Sequence, residues 1–210
     1  GQDQVVLGVD GSAVALDVAE ACGLEITSED RPLRRRAVIR GISVREYPGQ
    51  KRVSAVSLVG LDPAAALDRA DEIVVGLRAG DVAILLGPAA ALSDELAGTL
   101  QNRRARTLRV ENLVVAMRLP RGLWREAHRQ SLAVWVCIGG ARAQQPWVAD
   151  LAAIDQIELT DLAADVAGAL AQSEKRAFRY SRRIGLSTVL ARGPVVPRGV
   201  RAMRLGGGDA

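Results

Sequence analysis

Apolar positions recur along this chain in two rhythms. Val5 to Val9, Val53 to Val59, Asp81 to Leu86, Leu113 to Met117 and Leu132 to Ile138 are short runs rich in β-branched residues. Runs of that length and composition predict buried strands. Ala13 to Cys22, Ala64 to Leu77, Ser93 to Arg104 and Leu159 to Gln172 instead carry their apolar residues at helical spacing. Each of these helices is preceded or opened by a capping signal: Ser12, Asp62 with Pro63, Ser93 with Asp94 and Glu95 in the first turn, and Thr160. Residues 27–36, TSEDRPLRRR, read as a polar loop around Pro32. After it, Ala37 to Val44 alternates apolar residues with Arg40 and Ser43 and predicts another strand. Trp147 to Ile154 reads as one more strand or turn. The interleaving of strands and helices predicts an α/β fold.

One pair of strands departs from that alternation. Between Leu113–Met117 and Leu132–Ile138 lies Arg118-Leu119-Pro120-Arg121-Gly122-Leu123-Trp124. Pro120 cannot continue a ladder and Gly122 tolerates unusual backbone angles, so the chain turns there. A link this short predicts that the two strands pair antiparallel.

Composition narrows the picture further. The chain has 210 residues, enough for one sizeable domain or a domain with an appendage. Hydrophobic residues make up 49% and charged residues 25%, the balance of a globular protein rather than a disordered one. Aromatics are only 3%, so Ala, Val, Leu and Ile must build the core. A net charge of +4 and a pI near 9.7 permit nucleic-acid binding without requiring it. Cys22 and Cys137 are isolated, and His128 has no partner at metal-ligand spacing, so neither a disulfide framework nor a metal site is expected. The apolar runs are strand-sized, so no signal peptide, transmembrane span or membrane partner is expected, and the default location is cytoplasmic. The Arg34-Arg35-Arg36 run reads first as a solvated face and second as a phosphate contact.

The turn and its flanking strands carry a resemblance. Val114 through Trp124, followed by Ser131-Leu132-Ala133-Val134-Trp135-Val136, resembles the end of the catalytic domain of N6-adenine DNA methyltransferases of the type I modification-subunit kind. There a strand ending in "(V/I)xLPxGLF" is followed by a strand of the "SLWVL" type, with Trp124 here in place of Phe. Leu77 to Pro88 is similar to the "RPGGRAVVVLP" stretch of the same family. The resemblance covers roughly residues 4 to 140, with its specific part at about 77 to 138.

It implies a Rossmann-like, S-adenosylmethionine-dependent methyltransferase sheet over 1–140 and a C-terminal extension over 141–210 with a basic tail. Two alignments of the first strand compete. In the favoured one, Gly8-Val9-Asp10 is the family's second strand, and Asp10 holds the ribose of S-adenosylmethionine with Gly8 and Gly11 beside it. In the other, Leu7-Gly8-Val9-Asp10-Gly11-Ser12 is a worn first-strand glycine loop. An ordinary strand-turn-helix with Asp10 as a local cap is the competing structural reading. The favoured alignment leaves the sheet without its central strand. The chain would then be a piece of a longer protein, or its sheet would close the gap or pair with a second copy of itself.

Gly60-Leu61-Asp62-Pro63 stands where the family carries (N/D)PP(F/Y), whose polar side chain and proline carbonyl hold the amino group of a flipped adenine while the aromatic ring stacks on the base. Here Ala64-Ala65 follow, so Asp62 and Pro63 are a degenerate remnant, and Asp62 reads better as the N-cap of the next helix. DNA is the partner the resemblance implies for a parent protein, and a homodimer or an N-terminal part of a parent chain are further expected partners. Methyl transfer by the isolated chain is not expected. The alternative is a non-catalytic α/β module that binds DNA or a protein partner. In the tail, the arginines interleaved with Phe178 and Tyr180 suit nucleic acid or the anchoring of the tail equally.

Overall fold

The strands are Val5–Gly8 (β1), Glu25–Thr27 (β2), Lys51–Ser57 (β3), Val82–Pro88 (β4), Leu113–Arg118 (β5), Leu132–Ile138 (β6), Trp147–Asp150 (β7) and Arg182–Arg183 (β8). The helices are Ala13–Cys22 (α1), Arg31–Ile39 (α2), Pro63–Val75 (α3), Ala89–Leu92 (α4), Gly98–Leu108 (α5), Leu159–Leu170 (α6) and Leu186–Leu190 (α7). The computed structural model describes residues 5–8, 13–46, 51–123, 129–171, 178–191 and 193–202. The described strands form one sheet of eight in the order β2-β1-β3-β4-β6-β5-β7-β8.

β1 pairs in parallel with β2 on one side and with β3 on the other, Val5 opposite Lys51 through Gly8 opposite Ser54. The central gap implied by the favoured alignment is therefore absent. β1 itself takes the place beside β3, and the β1–β3 ladder satisfies the backbone groups that a missing strand would have left open. Beyond β2, Ile26 bridges Val44 in parallel, with the Ile26 amide donating to the Ser43 carbonyl and the Arg45 amide to the Ile26 carbonyl.

The expected hairpin is present. β5 and β6 pair antiparallel from Leu113 opposite Cys137 to Arg118 opposite Ala133, with a register shift between Leu113 and Val115. Gly122 turns with φ of 82°, a left-handed angle open to glycine at little cost. Trp124, His128, Asp10, Gly11 and Ser12 lie outside the described residues.

Alternation along the strands divides the core between the two faces. Ala116, Ala133, Trp135 and Cys137 face one layer with α3, α4, α5 and α7, while Val115, Met117 and Val136 face α6 and Tyr180. α1 and α2 pack with Ile26 and Ala55. The Trp135 indole N–H donates to the Leu92 carbonyl at 2.7 Å, so the largest core ring is buried without an orphaned donor. Past residue 140 the chain continues in the same sheet, through β7 against β5 and β8 against β7, and in the same core through Leu186, Val189, Val195, Val196 and Val200.

Three expected elements differ. Residues 31–39, expected as the end of a loop over 27–36 and the start of a strand over 37–44, form α2, and of the remaining residues to 44 only Val44 makes a bridge. Asp30 adopts an extended conformation and its carboxylate accepts the Leu33 amide, while Pro32 sits in the first turn, where its missing N–H costs nothing. Leu33 and Ala37, one helical turn apart, are buried, and the apolar residues that suggested a strand include the exposed Val38 and Ile39. Ser93 ends a helix rather than starting one: its hydroxyl and its amide both donate to the Ala89 carbonyl, and the next helix begins at Gly98. α6 begins at Leu159 after Glu158, so Thr160 stands in its first turn and not at its cap.

Candidate functional site

From β1 the chain moves outward to β2 and then to residues 43–45, and only then crosses back to β3 on the other side of β1. In a doubly wound sheet such a reversal opens a crevice outside the carboxyl ends of the two strands that straddle it. Here those ends are Gly8 of β1 and Ser57 of β3, with Thr27 of β2 next to Gly8. Gly8 is thus at the reversal, and Asp10 and Gly11 follow it in sequence beyond the described residues.

Three acids follow the neighbouring strands, and their hydrogen bonds separate them. The Asp30 carboxylate is engaged at the start of α2. One oxygen of Asp62 accepts the amides of Ala64 and Ala65, at 2.9 and 3.0 Å, so this carboxylate caps α3 and Pro63 takes the first helical position. All three are exposed, and Glu29 alone has no hydrogen bond or ion pair among the described residues. Sequence reasoning passed over Glu29. The signal was its distance from Gly8: an acid about 20 residues past a glycine turn, at the end of the next strand, is where a ribose carboxylate stands in dinucleotide folds.

S-adenosylmethionine, the cofactor the resemblance implies, needs a close backbone approach and an acceptor for ribose hydroxyls. Gly8 ends β1 at the reversal, and Glu29 follows β2 with its carboxylate uncommitted. The base-holding site fits worse, because Asp62 is turned to its own helix and Ala64 and Ala65 open that helix without a ring to stack on.

Further along the same edge, at the carboxyl ends of β4, β5 and β7, lies a charge cluster that sequence reading also passed over. The Arg118 guanidinium, 2% exposed, donates to Asp150 at 3.1 Å and to the Val196 carbonyl at 3.0 Å, and pairs with Asp94. Asp150, 3% exposed, also accepts the Gly199 amide at 2.8 Å. Arg104 is buried nearby, donating to the carbonyls of Ala91 and Asp94 and to the Gln101 side chain. Burial pushes its guanidinium down to about 10, with the charge of Asp94 opposing the shift. Groups so enclosed do not meet a substrate. They fasten residues 196–200 to the strand ends.

Among the described residues no group of three or more metal-ligating side chains is gathered, and no helix is long and apolar enough to cross a membrane. Cys137 is wholly buried, and desolvation pushes its thiol far above the ordinary range.

No family model and no curated protein matches the sequence of this chain. Solved structures do match its fold. A methyltransferase subunit of the type I restriction-modification system from Streptococcus thermophilus superposes with a TM-score of 0.56 at 8% identity, over 90% of this chain and 52% of its own. A chain from a study of type I restriction-modification complex assembly gives 0.59 at 13% identity, over 93% and 54%. The type IIG restriction endonuclease BpuSI gives 0.55 at 15%, over 92% of this chain and 29% of its own. The chain has the fold of type I restriction-modification methyltransferase subunits, and it spans about half the length of the type I structures it matches. The family resemblance carried by the Leu-Pro-x-Gly-Leu turn is borne out at the level of fold.

Proposed function

We propose that this chain is a methyltransferase-like module of the restriction-modification type that holds S-adenosylmethionine at the β1–β3 reversal and does not methylate adenine on its own. The observation that carries this reading is the use of Asp62. Its carboxylate oxygen accepts the first two amides of α3, and Ala64-Ala65 replace the second proline and the aromatic ring. An adenine amino group would find there neither a full set of acceptors nor a stacking surface.

When bound, S-adenosylmethionine would supply a methyl group activated on a sulfonium. The residues proposed to hold it are Gly8 and Gly11, which let the backbone approach, with Asp10 and Glu29 as acceptors for the ribose hydroxyls. The adenine-N6 chemistry of the resembled family would then belong to a parent protein whose partner is DNA. A labelled methyl-transfer assay on an adenine-containing duplex tests the catalytic half. The expected result is no incorporation. Incorporation above background that is lost in Asp62→Ala would overturn it.

The second reading, a non-catalytic module binding DNA or a protein partner, is favoured by the same capped Asp62. It parts from the first only over whether the cofactor is retained.

A further inference from the structure

Charge is distributed unevenly along this chain. Residues 175–208 contain nine Lys or Arg and no Asp or Glu, although the whole chain has 24 acids against 28 bases. The excess of positive charge therefore lies entirely in the C-terminal segment, and the rest of the chain is net acidic.

The fold turns part of this segment into a shaped surface. A cleft of about 620 Å³ lies between β8 and residues 199–202, lined by Gln156, Arg179, Tyr180, Arg182 and Arg201 among others. No Asp or Glu lines it among the described residues. Arg182 and Arg201 are exposed and form no ion pair among the described residues, while Arg179 is shared with the half-exposed Asp161. The walls are fixed from behind. The Asp165 carboxylate, 3% exposed, accepts the amides of Arg179, Tyr180 and Ser181 at 2.9, 2.8 and 3.0 Å. β8 pairs with β7, and the Ala202 amide donates to the Tyr180 carbonyl, which closes the cleft from the other side.

The aromatic residues of the segment are already engaged. Phe178 stacks on Trp147 with ring centroids 3.5 Å apart, and Tyr180 is buried with its hydroxyl accepting the Glu158 amide. Single-strand binding relies on rings free to stack on bases, and this cleft offers none. What it offers is fork-shaped cations on a rigid frame, which suit phosphate oxygens.

We propose that the cleft between β8 and residues 199–202 is a binding site for the phosphodiester backbone of duplex nucleic acid, with Arg182 and Arg201 as its phosphate ligands. The site lies apart from the β1–β3 crevice and does not depend on cofactor binding there. Recognition of this kind positions a duplex without reading its sequence.

The test is fluorescence anisotropy of a labelled duplex titrated with the full chain across a series of salt concentrations. The double variant Arg182→Ala/Arg201→Ala is expected to bind roughly tenfold more weakly per arginine removed at low salt. Its slope of log affinity against log salt is expected to fall by about two. Arg35→Ala/Arg36→Ala, which removes two exposed arginines of α2, should bind as the wild type does, and all three proteins should melt alike. The proposal is overturned if the wild type does not bind the duplex, if it binds single strands in preference, or if the α2 variant loses as much affinity as the cleft variant.

Discussion

Arg118 closes a strand whose five preceding residues are all apolar, and it is as deeply buried as they are. A charge at that depth is stable only because Asp150, Asp94 and the Val196 carbonyl surround it. Arg118→Ala leaves Asp150 buried with its main counter-charge gone. The expected cost is about 3–5 kcal/mol, measured as a shift of the urea midpoint. A second prediction at this scale concerns Cys137, whose buried thiol stays protonated at neutral pH. In a Cys22→Ser background, a thiol reagent should titrate no cysteine in the folded protein and one after denaturation, and rapid native labelling would contradict the burial. These residues were hard to read in sequence for a definite reason. A lone Arg or Asp at a strand end looks the same whether it meets water or a partner 32 residues away. Asp62 was legible because its cap is local: carboxylate, proline and helix adjoin one another in the chain.

The same contrast between local and distant causes separates the elements. The β5–β6 hairpin was readable because two β-branched runs and a turn holding Pro120 and Gly122 lie within 26 residues of one another, and the strands pair antiparallel as expected. α2 was misread because its helical stripe is only Leu33 and Ala37, whereas the alternation after Ala37 is produced by exposed side chains at the helix end. Ser93 was misread because a serine followed by two acids signals a cap wherever it stands, and here α4 had already begun four residues earlier. Packing between elements supplies a sharper test. A Cβ on Gly139 would fall 2.0 Å from the Arg78 carbonyl oxygen, where β6 leaves the sheet against the turn before β4. Gly139→Ala should therefore destabilise the protein by about 1–3 kcal/mol or more, since backbone must move to admit the methyl. Gly122→Ala meets nothing within 4 Å and pays only for its left-handed angle, about 1–2 kcal/mol. Chemical denaturation of the two variants side by side should rank them in that order.

At the scale of the whole molecule, the family likeness and the α/β class were legible, but the path of the chain through the sheet was not. The expectation of an open centre followed from aligning β1 with the family's second strand. Pairing of β1 with β3 leaves no gap there, and that pairing joins segments more than 40 residues apart. No periodicity within either segment specifies it. The C-terminal segment shows the same non-local dependence, since Val195, Val196 and Val200 complete a core begun by α3, β4 and β6. A chain ending at Gly140 would lose β7 from the side of β5 and uncover those contacts. It should lack a cooperative thermal transition and bind a hydrophobic dye, and a sharp transition would show that 1–140 folds alone.

The central claim is that the crevice at the β1–β3 reversal still holds a cofactor although Asp62 no longer serves a base. Calorimetric titration of the full chain with S-adenosylmethionine, and with S-adenosylhomocysteine as a check, tests it most directly. Saturable binding to one site, weakened in both Asp10→Ala and Glu29→Gln without loss of folding, is the result predicted. A folded protein that takes up neither ligand, or binding that both substitutions leave unchanged, would contradict it.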